Sequence, residues 1–142
     1  MADLRHAVKL EPDHDKYLNA VAWLAATSPD EKLRDGKYAV ACATKSVKAV
    51  KNIEGEFLIP LRDYTLITYL DILAAAHAEM GEFKEAVRAQ NDALKIVSGF
   101  DRESLGIAAE VAGKKPADLK KEFGAMKERL ALYRDMIPYR AK

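Results

Sequence analysis

Hydrophobic residues recur at intervals of three and four along residues 69–97, which is the spacing of one face of an α-helix. The pattern occurs twice, once before and once after Gly81. The first half holds Leu70, Leu73, Ala74 and His77, and the second holds Phe83, Ala86, Val87, Ala93, Leu94 and Val97. Because glycine enters the left-handed region without a Cβ clash, Gly81 can end one helix and reverse the chain. The pattern therefore predicts two antiparallel helices joined by a tight turn.

A second copy of this pattern lies upstream. Its first half, Tyr17, Leu18, Val21, Ala22 and Ala25, aligns without a gap on Tyr69, Leu70, Leu73, Ala74 and His77. Its second half, Ala39, Val40, Val47 and Val50, aligns on Ala86, Val87, Leu94 and Val97. The offset is 52 residues in the first helices and 47 in the second, so the upstream turn is five residues longer. Two copies of one two-helix pattern indicate a repeat.

The downstream copy resembles a tetratricopeptide repeat, a helix-turn-helix unit of about 34 residues that stacks into a solenoid. The residues that carry the resemblance are Leu70, Leu73, Ala74, Gly81, Phe83, Ala86, Ala93 and Leu94. His77 and Gln90 depart from the family pattern, which usually has aromatic residues at these places. Three stretches, residues 20–40, 69–87 and 128–140, are also similar to the degenerate arrays of planctomycete-type bacterial proteins.

The resemblance implies an all-α fold, in which antiparallel hairpins stack as a short right-handed solenoid closed by a C-terminal capping helix. We expect one domain over residues 1–142, and its parts are the end of a preceding repeat (1–12), a first hairpin (15–51), an insert (52–64), a second hairpin (65–97), and a short helix with the capping helix (98–142). The opening residues read as the end of a repeat, so we expect a fragment of a longer protein.

Local signals mark several helix ends. Asp13 or Asp15 is expected to cap the helix over residues 15–27, and Asp35 the helix over residues 36–51. The insert carries apolar residues on both sides of Pro60, and such residues are rarely left in water. We therefore expect it to dock on the hairpins through Phe57, Leu58 or Ile59.

The last helix, expected over residues 117–135, has an apolar stripe with alternating spacings of four and three. The stripe consists of Leu119, Phe123, Met126, Leu130 and Tyr133. The charged residues Lys120, Lys121, Glu122, Lys127, Glu128 and Arg129 are expected on the opposite, polar side. The stripe is short for a coiled coil, so we expect it to cap its own chain, with dimerisation as the alternative.

Composition narrows the class of protein. The 142 residues are 49% hydrophobic and 32% charged, which is typical of a folded globular chain. A net charge of +1 gives no global attraction to nucleic acid or to a membrane surface. The single cysteine, Cys42, cannot form an internal disulfide, and together with the lack of a signal peptide it favours a cytoplasmic location.

Candidate catalytic residues are few. His6, His14 and His77 have no partner at triad or metal-ligand spacing, and His77 is expected to be a hydrogen-bonded core histidine. The Asp13-His14-Asp15 run is too compact to converge on a metal ion. Cys42 has no adjacent cation, and the isolated glycines form no phosphate loop. The sequence predicts a protein that is not an enzyme and has no cofactor or metal.

Function is therefore expected at a surface, and the resemblance implies a groove lined by the first helix of each hairpin. The candidate partner-binding residues are Lys16, Asn19, Trp23, Ala26, Thr27, Thr68, Asp71, Ala75, Ala78 and Glu79. The leading hypothesis is a module that binds a protein or peptide segment, favoured as a monomer. The alternative is a structural or self-associating domain, such as a terminal array fragment or a homodimer.

Trp23 is the best single candidate for a binding anchor. It lies about 150° around its helix from the apolar stripe, so its own hairpin does not need it in the core. The alternative is that the long turn at residues 28–36, or the insert, covers the indole.

Overall fold

The computed structural model describes residues 1–55 and 59–142, and within these ranges every regular element is helical. The helices are α1 (Ala2–Leu10), α2 (Asp15–Thr27), α3 (Gly36–Lys51), α4 (Ile59–Glu79), α5 (Phe83–Ser98), α6 (Arg102–Val111) and α7 (Pro116–Arg134). A single 3₁₀ turn, Glu31–Leu33, lies between α2 and α3. The all-α prediction is confirmed.

The first hairpin consists of α2 and α3, which run antiparallel. At one end the Asp35 amide donates to the Ala25 carbonyl (2.9 Å), and at the other the Ser46 hydroxyl donates to the Asp15 carbonyl (3.2 Å). As predicted, the Asp35 side chain caps α3 by accepting from the Tyr38 amide at 3.0 Å. The predicted cap of α2 by an aspartate is wrong, because His14 holds the cap position and Asp13 pairs with Lys45 at 2.6 Å.

The second hairpin consists of α4 and α5, joined by the predicted turn. Gly81 adopts a φ of +76°, a conformation that a side chain would strain, and the Glu82 amide donates to the His77 carbonyl at 2.9 Å. Both hairpins close on small residues, since helices approach closely only where side chains are short. The fully buried alanines of this seam are Ala22, Ala25, Ala39, Ala43, Ala74, Ala76, Ala86 and Ala93.

The apolar stripe of α7 is buried within the same chain. The buried residues of α7 are Leu119, Phe123, Met126, Leu130 and Tyr133, which is the predicted set. Most of them join a cluster with residues of α3, α4 and α6, whereas Tyr133 reaches the cluster under both hairpins. The helix thus packs against α5 and α6 and extends toward α2 and α4.

The start of the second hairpin differs from the prediction. Helix α4 begins at Ile59, so residues 59–64 are the first turns of a long helix and not part of an insert. Proline is tolerated in a first helical turn, where its missing N–H has no partner to lose, and this accounts for Pro60 at the second position of α4. Ile59 is 39% exposed, so only part of its side chain is covered, and the expected docking stays a prediction. Phe57 and Leu58 lie outside the described residues.

None of the helices in the described ranges combines the length and the apolar character that a membrane crossing requires.

Candidate functional site

Helices α2 and α4 lie side by side, and α7 faces them across a cavity of about 530 Å³ that we call the groove. Two contacts show that α2 and α4 run in the same direction. The Tyr69 hydroxyl, at the middle of α4, donates to Asp15 Oδ2 at the start of α2 (2.7 Å), and at the ends of the two helices Thr27 and Glu79 contact the same short segment. The groove is therefore formed by the first helix of each hairpin.

The predicted partner-binding residues divide into two groups. Those that line the cavity are Lys16, Asn19, Trp23, Thr68 and Asp71. Those that do not line it are Ala26, Thr27, Ala75, Ala78 and Glu79. Thr27 and the three alanines are buried, and the Glu79 side chain is 14% exposed at the end of α4. The prediction for this second group assumed an open surface along both helices, whereas the two helices pack against each other and against other parts of the chain there.

Asp71 lines the groove but is held by α7. Its Oδ1 and Oδ2 accept from Arg129 Nε (2.9 Å) and Nη2 (2.7 Å), and Oδ1 also accepts from Gln90 Nε2 at 2.7 Å. Gln90, which is fully buried, donates further to the Met126 carbonyl at 3.1 Å. This cluster of Asp71, Gln90 and Arg129 joins α4, α5 and α7, so the carboxylate of Asp71 is committed to a structural contact.

Arg129 is largely buried, with 12% of its side chain exposed. Burial by itself lowers the pKa of a guanidinium, but the charge and hydrogen bonds of Asp71 outweigh it, and the pKa of Arg129 is raised. The prediction that Arg129 lies on the polar outer side of α7 is wrong. The Asp71 carboxylate offers two acceptors to its guanidinium fork, which is the geometry that draws arginine into a partly buried position.

Trp23 lines the groove, and Tyr139 lies against its ring. Its ring centroid lies 5.7 Å from that of Tyr139, and the Arg129 guanidinium lies 5.9 Å from the Trp23 ring and 5.2 Å from the Tyr139 ring. The cation therefore lies beside both aromatic rings, while Asp71 holds the guanidinium by two hydrogen bonds. Trp23 remains half-buried and also lines the open cavity.

Tyr139 belongs to residues 137–142, which we call the C-terminal segment and which has no regular secondary structure. It follows a turn in which Met136 adopts a φ of +56° and the Ile137 amide donates to the Leu132 carbonyl at 2.9 Å. The segment then crosses the end of α2, where the Ala141 amide donates to the Thr27 carbonyl at 2.9 Å. Arg140 Nη1 donates to the Ala26 carbonyl at 3.4 Å.

Glu79, which lies beside the groove at the end of α4, contacts two arginines. Its Oε1 accepts from Arg34 Nε at 3.0 Å, and its Oε2 lies 2.6 Å from Arg140 Nη2. Arg34 also donates to the Ser28 carbonyl at 3.1 Å. The last carbonyls of a helix have no intrahelical donor and carry the negative end of its dipole, so this site favours cations.

The open part of the groove contains an unpaired amide. Asn19 is 8% exposed, and its Oδ1 has no hydrogen-bond partner among the described residues. Lys16 is exposed at the same opening, and Thr68 is half-buried. A buried polar atom without a partner costs free energy, so a donor from water or a ligand is expected beside it.

The remaining titratable candidates lie apart from one another. His77 Nδ1 is 2.6 Å from Glu82 Oε2, and the histidine side chain is 17% exposed, which agrees with a hydrogen-bonded, largely buried residue. His14 stacks on Tyr17 with 4.0 Å between ring centroids. Burial raises the pKa of Cys42 and so disfavours its thiolate. Among the described residues, no three His, Cys, Asp or Glu side chains form a group that could hold a metal ion.

Two parts of the site were not predicted from the sequence. The C-terminal segment has no helical pattern, and nothing local indicates that it returns to α2. The Asp71, Gln90 and Arg129 cluster did leave one signal, because Gln90 is a polar residue at a position where the repeat is apolar. Comparison with protein-family models, curated protein sequences and solved structures finds no match for this chain.

Proposed function

We propose that this chain is a non-enzymatic interaction module of the tetratricopeptide type, which binds a peptide or protein segment in the groove between α2, α4 and α7. The hairpins α2–α3 and α4–α5 supply the repeated unit, and their stacking into a short right-handed solenoid is part of the proposal. Helix α7 acts as the cap, since its apolar stripe covers the last hairpin and leaves charged residues outside.

One observation carries the proposal: a stretch of polypeptide without regular secondary structure already contacts the ends of α2 and α4. The C-terminal segment uses a main-chain hydrogen bond to Thr27, an aromatic contact to Trp23 and an ion pair to Glu79. Main-chain bonds supply affinity and side-chain contacts supply specificity in peptide recognition. The same surface therefore has the groups that a bound peptide needs.

The open part of the groove adds a second support. Its volume, about 530 Å³, lies within the range of ligand sites, and its walls include apolar side chains such as Ile72 and Met126. Asn19 contributes an unpaired buried oxygen, and Lys16 lies at the rim. A few polar groups among apolar walls are typical of a binding site, where they orient the ligand.

A random peptide library displayed on phage tests the proposal against the full chain. We expect selected peptides to bind in solution and to shift the NMR resonances of α2 and α4 more than those of the outer face of α3. Lys16→Ala combined with Thr68→Ala should weaken binding about tenfold, whereas Lys48→Ala on the exposed face of α3 serves as the matched control.

Two results would count against a peptide-binding groove. One is a library that yields no peptide, and the other is a set of peptides whose binding is unaffected by the groove variants. Sedimentation velocity gives a further check, since we expect a monomer. A dimer that involves α7 would favour the self-association alternative.

A further inference from the structure

The C-terminal segment contacts Trp23 at the edge of the groove and the adjoining ends of α2 and α4, through groups that a separate polypeptide could present equally well. We infer that it is an internal ligand, and that the groove accepts from a partner an aromatic residue followed directly by arginine, in place of Tyr139 and Arg140. This inference rests on the proposed peptide-binding function. It specifies the chemistry of the partner and makes the segment its competitor.

Arginine is favoured because two negative features converge where Arg140 lies. The carbonyl of Ala26 belongs to the last turn of α2, and Glu79 is the last residue of α4. The Arg140 guanidinium reaches both, at 3.4 Å from the carbonyl and 2.6 Å from the carboxylate. A guanidinium can donate a hydrogen bond to the carbonyl through one nitrogen while another nitrogen forms an ion pair with the carboxylate, whereas a lysine ammonium is a single point charge.

An aromatic residue is favoured because its site is formed before it binds. The Arg129 guanidinium lies 5.2 Å from the Tyr139 ring and is held by Asp71. The Trp23 ring completes the site at 5.7 Å. A fixed cation beside an indole stabilises a second aromatic ring, and an aliphatic side chain would lose this interaction.

The segment has few contacts to lose. In the described part of the chain, one main-chain hydrogen bond, from Ala141 to Thr27, joins it to α2. Tyr139 is half-buried, and the Arg140 side chain is 34% exposed. Segments with few main-chain hydrogen bonds and partly exposed side chains open more easily than packed helices, so a partner with the same two side chains can take this place.

The test uses the full chain, a Tyr139→Ser/Arg140→Ser double variant, and a fluorescein-labelled peptide with the sequence of residues 135–142. Trp23 is the only tryptophan, so its emission reports whether the segment has left. We expect the double variant to keep its helical circular dichroism, to show altered Trp23 emission, and to bind the peptide about tenfold more tightly than the unaltered chain.

Peptide variants and a matched protein variant sharpen the test. Tyr139→Ser or Arg140→Ser in the peptide should each weaken its binding to the double variant about tenfold. Arg134→Ser in the protein, which removes one exposed charge from the end of α7, should behave as the unaltered chain does. Glu79→Gln in the double variant should reduce the difference between the parent peptide and its Arg140→Ser form.

Three outcomes overturn the inference. Unchanged Trp23 emission in the double variant would mean that the segment does not cover Trp23 in solution. Equal peptide binding by the double variant and the unaltered chain would mean that the segment does not compete, and equal binding of all peptides would remove the aromatic–arginine requirement. If library-selected peptides still bound the groove, the proposed function would survive these results. If no peptide bound either form, both would fail.

Discussion

The two ends of the groove differ in how the chain treats its own polar groups. At the end formed by the last turns of α2 and α4, the C-terminal segment supplies donors to the Ala26 and Thr27 carbonyls and a cation to Glu79. In the open part, Asn19 has a buried oxygen that no described residue satisfies. One end is therefore covered by a segment of the chain, and the other is open beside an amide oxygen that lacks a donor.

We expect the residues that stabilise the fold and the residues that bind a partner to lie in different parts of this surface. Between the two ends lies the buried cluster of Asp71, Gln90 and Arg129, which we call the wall. Gln90 and Arg129 both donate hydrogen bonds to Asp71. The segment is held by fewer and more exposed contacts, and Lys16 at the open end is exposed. We therefore expect substitutions to affect stability most at the wall, less at the segment and least at the open end.

The largest effect is expected for Asp71→Ala. This change leaves the Arg129 guanidinium buried without its counter-charge and removes an acceptor from Gln90, so the free energy of unfolding should fall by about 3–5 kcal/mol. Urea denaturation followed by circular dichroism measures the loss. Asp92→Ala, the same charge change at an exposed site on α5, should stay within about 0.5 kcal/mol of the unaltered chain. Equal losses in both variants would contradict a structural role for the cluster.

A smaller effect is expected for Tyr139→Ala at the covered end. Loss of the half-buried ring and of its contact with the Arg129 guanidinium should cost about 1–2 kcal/mol. Tyr139→Phe is the matched control, because it keeps the ring and should keep the stability. If the phenylalanine variant were as destabilised as the alanine variant, the hydroxyl and not the ring would hold the segment.

High pH is expected to lower the free energy of unfolding by about as much as Tyr139→Ala or slightly less, because of the buried Tyr133 near Asp71 and Arg129. Burial and the nearby charge of Asp71 raise the pKa of Tyr133 above its ordinary value of 10.0. The unfolded chain therefore ionises first, so stability is fully present below pH 10 and falls as pH rises above it. At about pH 10.5 this tyrosine alone should account for a loss of about 1 kcal/mol. The measurement is urea denaturation at pH 8 and pH 10.5.

The control for this titration is Tyr133→Phe. Its hydroxyl has no partner among the described residues, so the variant should be nearly as stable as the parent at pH 8. It should also lose less stability on going to high pH. Parallel losses in parent and variant would assign the effect to other groups.

The smallest effect on stability is expected for Lys16→Ala at the open end. Because the side chain is exposed, the free energy of unfolding should change by less than about 0.5 kcal/mol. Binding of library-selected peptides should nevertheless weaken. A change in stability comparable to that of Tyr139→Ala would show that the open end also has a structural role.

Much of the fold could be predicted from the sequence because its information is local. The apolar spacing placed α2, α3 and α5 within about one residue of their observed ends, and Asp35 and Gly81 marked their turns correctly. The stripe of α7 also identified its buried face. The start of α4 was missed because residues 52–64 depart from the repeat pattern and were assigned to an insert, whereas residues 59–64 form the first turns of the helix.

The site depends on contacts between distant parts of the chain, and these are not encoded in any single stretch. Arginine is usually a surface residue, and Arg129 is largely buried because it pairs with Asp71 on another helix. Asp71 was predicted to bind a partner because its pairing with Arg129 is not visible in the sequence. The C-terminal segment has neither periodicity nor a motif, so its position over α2 becomes visible only in three dimensions.

The turn at Met136 has a consequence for how strongly a partner must bind. It joins the C-terminal segment directly to α7, and a ligand on so short a tether is present at an effective concentration of roughly millimolar. A free peptide with the same contacts, at micromolar concentration, would occupy the site only rarely. A successful partner must therefore either make additional contacts along the open part of the groove or present many copies of its binding sequence together.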